Sequence, residues 1–401
     1  MLTVNRRSLR EKRILNARQV LNHLNLDAML LTAWDNIQYV TDAKLYKSMD
    51  LYSDYYAAVL RSDGQPIFVG VIPGAGVPEG VEIFEGWEPC SRFFPGQLDQ
   101  QAEGWAKIFE RLLGRLGLLE SRIGLDYMPF AMYEKLKKRV TSATFLPCLD
   151  QLLIVRAVKN EEEIKLARNA AKVVDAAIEA GFKAIKPGVT ERQVFSKIAE
   201  KLFELGSEML PWSAVCRGPR ASRETMYPTL SERRLRRGEN LRIDVGAVAD
   251  GYHSDIMRTN TYVQAPDPKN KAVYESLLAI YEQTLKAIKP GAKVSSVYDA
   301  AVESYKEAGY RDDSLWTKHG SLGHGVGLKA LEFPIIDSKE ELGQLDMELK
   351  PGMILCPELT IGYKTFSSVD DTQAFFGLED VTLVTETGYE LLTRVSKDLK
   401  R

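Results

Sequence analysis

Two aspartates in the stretch Arg242 to Thr259, which reads RIDVGAVADGYHSDIMRT, have a spacing that points to chemistry. Asp244 and Asp255 lie on two apolar, strand-like runs that are joined by the turn-rich segment Gly246 to Gly251. This pattern predicts a β-hairpin that presents two carboxylates to one point. Because such a pair is costly to bury without a cation between the acids, the hairpin suggests a metal site. A hairpin with two solvated acids is the alternative.

Three later residues extend this set. His324 is flanked by glycines in GHGVGL, which lets the backbone approach a site closely, although a lone histidine is more often structural. Glu358 closes the apolar run of LKPGMILCPEL. Glu379 begins the run of LEDVTLVT, and the neighbouring Asp380 is expected to point to the opposite face of the strand. Each of the three therefore lies on or beside a strand-like run of the C-terminal half.

The combined set of four carboxylates and one imidazole indicates a particular kind of metal chemistry. Oxygen-rich ligands suit two divalent ions such as Mn, Co, Fe or Zn better than a thiolate zinc site. Two ions roughly 3.5 to 4 Å apart hold a bridging water, lower its pKa and polarise the group that it attacks. The ions also remove the electrostatic objection to gathering four acids in one place. We therefore expect two divalent metal ions.

The N-terminal part has the mixed order of an α/β domain, which we assign to residues 1–150. Apolar spacing predicts helices over 6–25, 98–116 and 130–140. Short apolar runs predict strands at 28–32, 122–125 and 143–146, with a hairpin formed by 56–61 and 66–71.

An internal repeat organises the second domain, which we assign to residues 151–401. The sequence KAIKPG occurs at 183–188 and again at 286–291, each time at the end of a long amphipathic helix (161–185 and 269–288). A second helix follows each copy (191–205 and 295–308), and then a strand-rich segment. The two copies predict an α+β domain of two similar halves, with the site where the halves meet.

Composition limits the class of protein. The chain has 401 residues and a formal net charge of -2, which argues against electrostatic binding to nucleic acid or an anionic membrane. Its four cysteines have no CxxC spacing and are interpreted as reduced, buried thiols. The basic N-terminus has no apolar segment after it, and no stretch approaches a membrane span. We expect a soluble, cytoplasmic enzyme or binding protein.

The motifs IDVGAVADGYHSDIMRT, GHGVGL, PGMILCPEL and LEDVTLVT resemble those of the creatinase, aminopeptidase P and prolidase family, which has the pita-bread fold. The resemblance covers essentially the whole chain, since DNIQYVTD at 35–42 is similar to the creatinase-type N-terminal extension. It implies an Xaa-Pro peptidase that cleaves a C–N bond, and commonly a homodimer. It also implies five metal ligands, of which Asp255 and Glu379 bridge both ions: Asp244, Asp255, His324, Glu358 and Glu379.

The chain departs from the family pattern in the residues that handle the peptide. A histidine usual before the first aspartate motif is replaced near Tyr227, and a second, usual after GHGIGL, is replaced by Leu331. The arginine usual before the last glutamate is replaced by Gly377, and one residue is inserted between His319 and His324. The candidate catalytic residues are therefore Tyr227 as a hydrogen-bond donor, Glu332 as a general acid or base, and His319. In the alternative, non-catalytic interpretation, Tyr227 is a packing residue and Glu332 is a surface acid.

Three functions follow from this pattern. The first is a dinuclear metal-dependent hydrolase acting on Xaa-Pro peptides. The second keeps the metal site but acts on a small molecule, in the manner of creatinase, an ectoine hydrolase or a dimethylsulfoniopropionate lyase, and the missing histidines motivate it. The third is a non-catalytic binding protein, which the complete ligand set disfavours.

Overall fold

A computed structural model of the chain describes residues 3–44, 56–70, 76–86, 88, 96–217, 232–235, 240–261, 268–310, 321–362 and 375–399. The chain divides into two compact units, Val4–Arg156 and Ala157–Arg401.

The first unit is built on a mixed six-stranded sheet in the order β4-β3-β2-β1-β5-β6. The β1–β2 and β2–β3 pairs are antiparallel, whereas the β3–β4, β1–β5 and β5–β6 pairs are parallel. Its strands are β1 (Ala28–Leu31), β2 (Tyr56–Arg61), β3 (Ile67–Gly70), β4 (Glu82–Glu85), β5 (Arg122–Leu125) and β6 (Thr144–Pro147). Its helices are α1 (Arg6–Leu24), α2 (Trp34–Thr41), α3 (Leu98–Arg115) and α4 (Phe130–Arg139), and α5 (Leu149–Ala157) follows β6. The predicted helices and strands of this unit are confirmed.

Helix α2 was not predicted, because its N-cap residue carries no capping side chain and the segment at its start is held by a distant residue. Ala33 at the N-cap position has no side chain that caps the helix. Instead the buried carboxylate of Asp126 accepts hydrogen bonds from the Thr32 N–H (2.9 Å), the Ala33 N–H (3.1 Å) and the Asn36 side-chain amide (2.9 Å). The sequence around the helix therefore lacks the usual start signal.

The second unit contains an eight-stranded sheet whose main path has the order β14-β13-β11-β12-β9-β8-β7, with β10 paired to β11. The two helix pairs of the predicted repeat are present, and each first helix ends at a copy of KAIKPG. The helices are α6 (Glu161–Ala184), α7 (Glu191–Glu204), α8 (Pro268–Ala287), α9 (Val294–Glu307) and α10 (Lys339–Leu342). The strands are β7 (Ser213–Arg217), β8 (Asn240–Ala249), β9 (Tyr252–Thr261), β10 (Gly323–Gly325), β11 (Ile354–Gly362), β12 (Phe375–Glu379), β13 (Thr382–Val384) and β14 (Tyr389–Leu391).

Each helix pair packs on its own part of this sheet. One core cluster joins α6 and α7 to alternate residues of β8, namely Leu241, Ile243, Val245 and Ala247. A second cluster joins α8 and α9 to Leu359 and Ile361 of β11 and to Phe376 and Leu378 of β12. Because side chains alternate along a strand, the residues between these apolar positions lie on the face away from the helices.

The β8–β9 hairpin is tighter than predicted. The segment Gly246 to Gly251 was expected to be the turn, but β8 continues to Ala249 and only Asp250 and Gly251 form the connection. Both residues have positive φ, 52° and 82° respectively. Asp-Gly favours this type of two-residue turn, whose twist matches that of the paired strands. The turn thus sets the register of the two aspartate-bearing strands.

Candidate metal centre

Strand pairing brings three of the predicted ligands into one row across the sheet. Asp244 on β8 is the Cα partner of Met257 on β9, and Met257 is in turn the partner of Glu379 on β12. Glu379 is also the partner of Glu358 on β11. Paired residues of neighbouring strands point to the same side. The carboxylates of residues 244, 358 and 379 therefore project from one face.

The remaining two candidates fall on the same face by alternation. Asp255 is two residues before Met257 on β9, and His324 on β10 is the partner of Cys356, two residues before Glu358. This is the face opposite the helices, because the residues between these positions belong to the two helix-packed cores. All five predicted ligands thus share one surface of the sheet.

Three of the five converge most closely. Ligand atoms of Asp255, His324 and Glu379 all lie within 4.8 Å of one another. The Nε2 atom of His324 is 3.7 Å from Asp255 Oδ2 and 3.7 Å from Glu379 Oε1. Asp244 and Glu358 share the face but are not members of this group. Glu358 is partly exposed, whereas the other four side chains are buried.

The electrostatics of this arrangement are unfavourable for the protein alone. Burial raises the pKa of Asp244, Asp255 and Glu379, and the neighbouring carboxylates raise the pKa values of Asp255 and Glu379 further. Burial and the charge of Asp244 raise the pKa of Glu358 to about 7. Burial lowers the pKa of His324, so the imidazole is held in its neutral form, in which a ring nitrogen is able to bind a cation.

The donor set fits a bound cation. Asp255 Oδ1 and Glu379 Oε1 are buried and accept no hydrogen bond from the part of the chain that the structure describes. Buried carboxylate oxygens are normally satisfied, because leaving one without a partner is expensive. A divalent ion among these oxygens and the neutral imidazole satisfies them and offsets the repulsion between the acids.

Two residues that the sequence did not single out contact this face. The indole N–H of Trp212 donates a hydrogen bond of 3.1 Å to Asp244 Oδ1. Its ring lies over Gly246, where a Cβ atom would be only 2.5 Å from ring carbons of Trp212. Arg242, two residues before Asp244, is buried on the same face, and its charge lowers the pKa of Asp244 and of Glu358. A glycine two residues after a strand carboxylate was a signal for such a close approach.

Asp380 points to the opposite face of the sheet, as expected, where it contacts two strands that carry proposed ligands. Its carboxylate forms a buried ion pair with Arg258 of β9 and accepts a hydrogen bond of 2.8 Å from Thr393. Arg258 also donates to the backbone carbonyl of Glu379, at 2.5 Å. The pair therefore connects the strands that carry Asp255 and Glu379.

Of the three candidate catalytic residues, Tyr227 and His319 lie outside the described residues. Glu332 is not the surface acid of the non-catalytic interpretation, since only 4% of its surface is exposed. Its carboxylate lies 3.3 Å from the Lys159 ammonium and accepts a hydrogen bond from the Lys329 N–H. The adjacent Leu331 is 64% exposed.

Comparison with known proteins agrees with this architecture. Residues 165–386 match the description "Metallopeptidase family M24", and residues 13–158 match "Creatinase/Prolidase N-terminal domain". The Xaa-Pro dipeptidase of Pyrococcus furiosus is 30% identical over 272 residues, which are 68% of this chain and 73% of that protein. The chain belongs to metallopeptidase family M24.

The fold likeness extends over nearly the whole chain. The prolidase of Pyrococcus horikoshii OT3 superposes with a TM-score of 0.75 at 23% identity and covers 97% of this chain and 99% of its own. The X-Pro aminopeptidase of Thermotoga maritima gives 0.77 at 19% identity, covering 96% and 99%. This M24 chain thus combines the creatinase-type N-terminal domain with the C-terminal peptidase domain, as the motifs predicted.

Family membership sets the general chemistry. As an M24 member the chain is a metal-dependent hydrolase, and the family implies divalent metal cofactors. The group formed by Asp255, His324 and Glu379 is a candidate site for the metal. Among the described residues no helix is long and apolar enough to cross a membrane.

Proposed function

We propose that this M24 hydrolase is a dinuclear enzyme that cleaves Xaa-Pro peptide bonds. Asp244, Asp255, His324, Glu358 and Glu379 would hold the two ions. Four carboxylates would offset most of the charge of two divalent cations beside the buried Arg242. The chemistry supplied there when the ions are bound is Lewis-acid polarisation of a carbonyl and a lowered pKa for water.

The buried oxygens of Asp255 and Glu379 carry this proposal. Each has an oxygen atom that accepts no hydrogen bond from the described chain, and the two carboxylates face the same imidazole. His324, held neutral by burial, presents its Nε2 atom between them. Trp212 holds one oxygen of Asp244 through its indole N–H and so orients that carboxylate.

The Xaa-Pro substrate class is supported by the curated relatives. Two Pyrococcus proteins named Xaa-Pro dipeptidase are each 30% identical over about two thirds of this chain (68%). We expect cleavage of the C–N bond that precedes proline, and manganese, cobalt, iron or zinc as the working metal.

An assay with defined metals tests the proposal. The metal-stripped protein is incubated with Xaa-Pro dipeptides and longer Xaa-Pro peptides, with Mn²⁺, Co²⁺, Fe²⁺ or Zn²⁺ added one at a time, and bound metal is measured by elemental analysis. We expect turnover and about two equivalents of metal. Asp255→Asn serves as the inactive control. No turnover with any metal would remove the peptidase proposal, and one equivalent would remove the dinuclear one.

A second candidate is a small-molecule hydrolase or lyase on the same metal site. The observation that favours it is Leu331, which is largely exposed where peptidases of the family carry a histidine. An apolar side chain there offers no hydrogen bond to a substrate carbonyl. A parallel screen of amidino, cyclic amidine and sulfonium compounds decides between the two, because activity confined to proline peptides would exclude this candidate.

A homodimer and a cytoplasmic location also belong to the proposal. The creatinase-type N-terminal domain supports the homodimer, because family members with this domain are commonly homodimers, and light scattering coupled to size exclusion tests it. The cytoplasmic location is supported by the free, buried thiols of Cys148 and Cys356, and cell fractionation tests it.

A further inference from the structure

The hairpin that follows His324 is closed by Glu332. Gly325 and Glu332 exchange two backbone hydrogen bonds, each 2.9 Å long. The Glu332 carboxylate is buried inside this hairpin, where Oε1 accepts from the Lys329 N–H at 3.0 Å and Oε2 lies 3.3 Å from Lys159 Nζ. Both ends of the carboxylate are therefore held by the protein.

The ion pair of Glu332 and Lys159 is called the clamp below. The backbone of Gly325 connects this clamp to the imidazole of His324. The Gly325 carbonyl, which accepts from the Glu332 N–H, also lies 3.0 Å from His324 Nδ1. Because a carbonyl only accepts, this bond requires the proton of the neutral ring to be on Nδ1. The lone pair is then on Nε2, the atom that faces Asp255 and Glu379. The Ala330 carbonyl of the same hairpin also contacts the imidazole, so two backbone carbonyls favour the tautomer that a metal ligand needs.

Close packing leaves the clamp little freedom. A Cβ atom on Gly327 would lie 2.5 Å from Glu332 Oε2 and 3.1 Å from Lys159 Cε, so the ion pair fills the space above this glycine. The Lys159 N–H donates at 3.0 Å to the carbonyl of Gly352, just before β11. Lys159 therefore connects the 325–332 hairpin to the segment just before β11, the strand that carries Glu358.

We propose that Glu332 and Lys159 are positioning residues that set the tautomer and orientation of His324 through the Gly325 carbonyl. Glu332 acts through the hairpin and transfers no proton to or from the substrate. The proposal rests on the proposed function only in taking His324 as a metal ligand. It replaces the role of general acid or base predicted for Glu332.

Nitrogen NMR of the metal-free protein tests the tautomer. The chain has only four histidines, so ring-¹⁵N-labelled protein gives few signals, and His324→Gln identifies the one of interest. We expect the Nδ1–H tautomer in the native protein. Glu332→Gln and Lys159→Met should both shift His324 toward a mixture of tautomers, while Lys159→Arg should restore the native signal. Unchanged Nδ1–H tautomer in both neutral variants would overturn the proposal.

A double variant that removes both charges serves as a control for misfolding of the single variants. A single neutralised partner leaves a buried charge behind, whereas removing both charges is often tolerated. Lys159→Met with Glu332→Gln should therefore remain folded and show the same tautomer shift as either single change. Glu390→Gln is the matched control, because it removes the acid of another ion pair, with Arg168. It should leave the His324 signal unchanged.

Cobalt titration separates positioning from proton transfer. Glu332→Gln, Lys159→Met and the double variant should each bind Co²⁺ about 10- to 100-fold more weakly, as expected for the loss of a partner that orients a ligand. Their kcat should recover at saturating Co²⁺. A kcat that stays low in Glu332→Gln at full occupancy, but recovers in Lys159→Met, would instead make Glu332 a proton-transfer group. If the native protein bound no Co²⁺, the proposed function would fail while the tautomer result would still decide this inference.

Discussion

Glu358 of β11 and Glu379 of β12 stand directly opposite each other on adjacent antiparallel strands. Opposed residues on one face have Cβ atoms about 4.5–5.5 Å apart, and like charges at such positions destabilise a sheet. The strands nevertheless pair in this register, with Asp244 and Asp255 on the same face. The fold therefore tolerates a repulsion that a bound cation relieves.

The first prediction concerns Glu379→Gln. It should raise the melting temperature of the metal-free protein by about 2–4 °C, since it removes a buried carboxyl whose ionised form is disfavoured by burial and by the neighbouring Asp255, a change of about 1 kcal/mol. It should also abolish the stabilisation that added metal gives the native protein. Calorimetry with and without Mn²⁺ measures both effects. A lower melting temperature without metal would contradict the electrostatic account.

The second prediction concerns removal of the metal. A cation that binds only the folded state stabilises it by about 2.7 kcal/mol at a concentration 100 times its Kd. Treatment with a chelator should therefore lower the melting temperature, and re-addition of Mn²⁺ or Co²⁺ should restore it in a concentration-dependent way. Asp255→Asn is the comparison, because its melting temperature should not respond to either treatment.

The third prediction concerns Trp212→Phe, which keeps an aromatic ring but removes the hydrogen bond to Asp244. Hydrogen bonds to charged groups contribute about 1.5–3 kcal/mol, so metal binding should weaken by roughly tenfold or more. Gly246→Ala should weaken metal binding at least as much, because its methyl group would meet both the indole and the backbone oxygen of Ser254. Isothermal titration measures both. Native affinity in Trp212→Phe would show that the indole does not orient the carboxylate.

The fourth prediction concerns the ion pair beneath the site. Asp380→Asn leaves the buried guanidinium of Arg258 without its charge partner, so the free energy of unfolding should fall by about 3–5 kcal/mol. Glu232→Gln, which removes the acid of an exposed pair with Arg192, should change it by less than about 1 kcal/mol. Urea denaturation of the metal-free proteins compares them. Equal effects would contradict the structural role of the buried pair.

The fifth prediction concerns Asp175 of α6, whose carboxylate accepts from the N–H groups of Arg394 and Val395. Burial raises the pKa of this carboxyl from 3.8 to about 6. The folded state therefore holds a proton that the unfolded state has released between these values, and the stability contributed by this group falls as the pH rises through about 6. The stability of the native protein relative to Asp175→Asn should decline from pH 4 to pH 7. A constant difference in unfolding free energy across that range would refute the assignment.

The sequence by itself determined the parts of this protein that depend on neighbouring residues. The alternation of Leu241, Ile243 and Val245 with polar positions placed Asp244 on the face away from the helices. The two KAIKPG copies ended two helices, and the segment Gly246 to Gly251 contained the turn of the β8–β9 hairpin, although the structure confines that turn to Asp250 and Gly251. These patterns are local, so they can be interpreted without knowing the fold.

Tertiary structure alone decided the contacts between residues far apart in the chain. Asp126 holds the start of helix α2 through Asn36, 90 residues away, and Lys159 pairs with Glu332 across 173 positions. The indole of Trp212 meets Asp244 only because β7 and β8 are neighbours and Gly246 leaves room for the ring. No local pattern encodes such contacts, since they form only when the packing of sheet and helices brings the partners together. The surroundings of each proposed ligand were therefore set by the fold, whereas its chemical type was already present in the sequence.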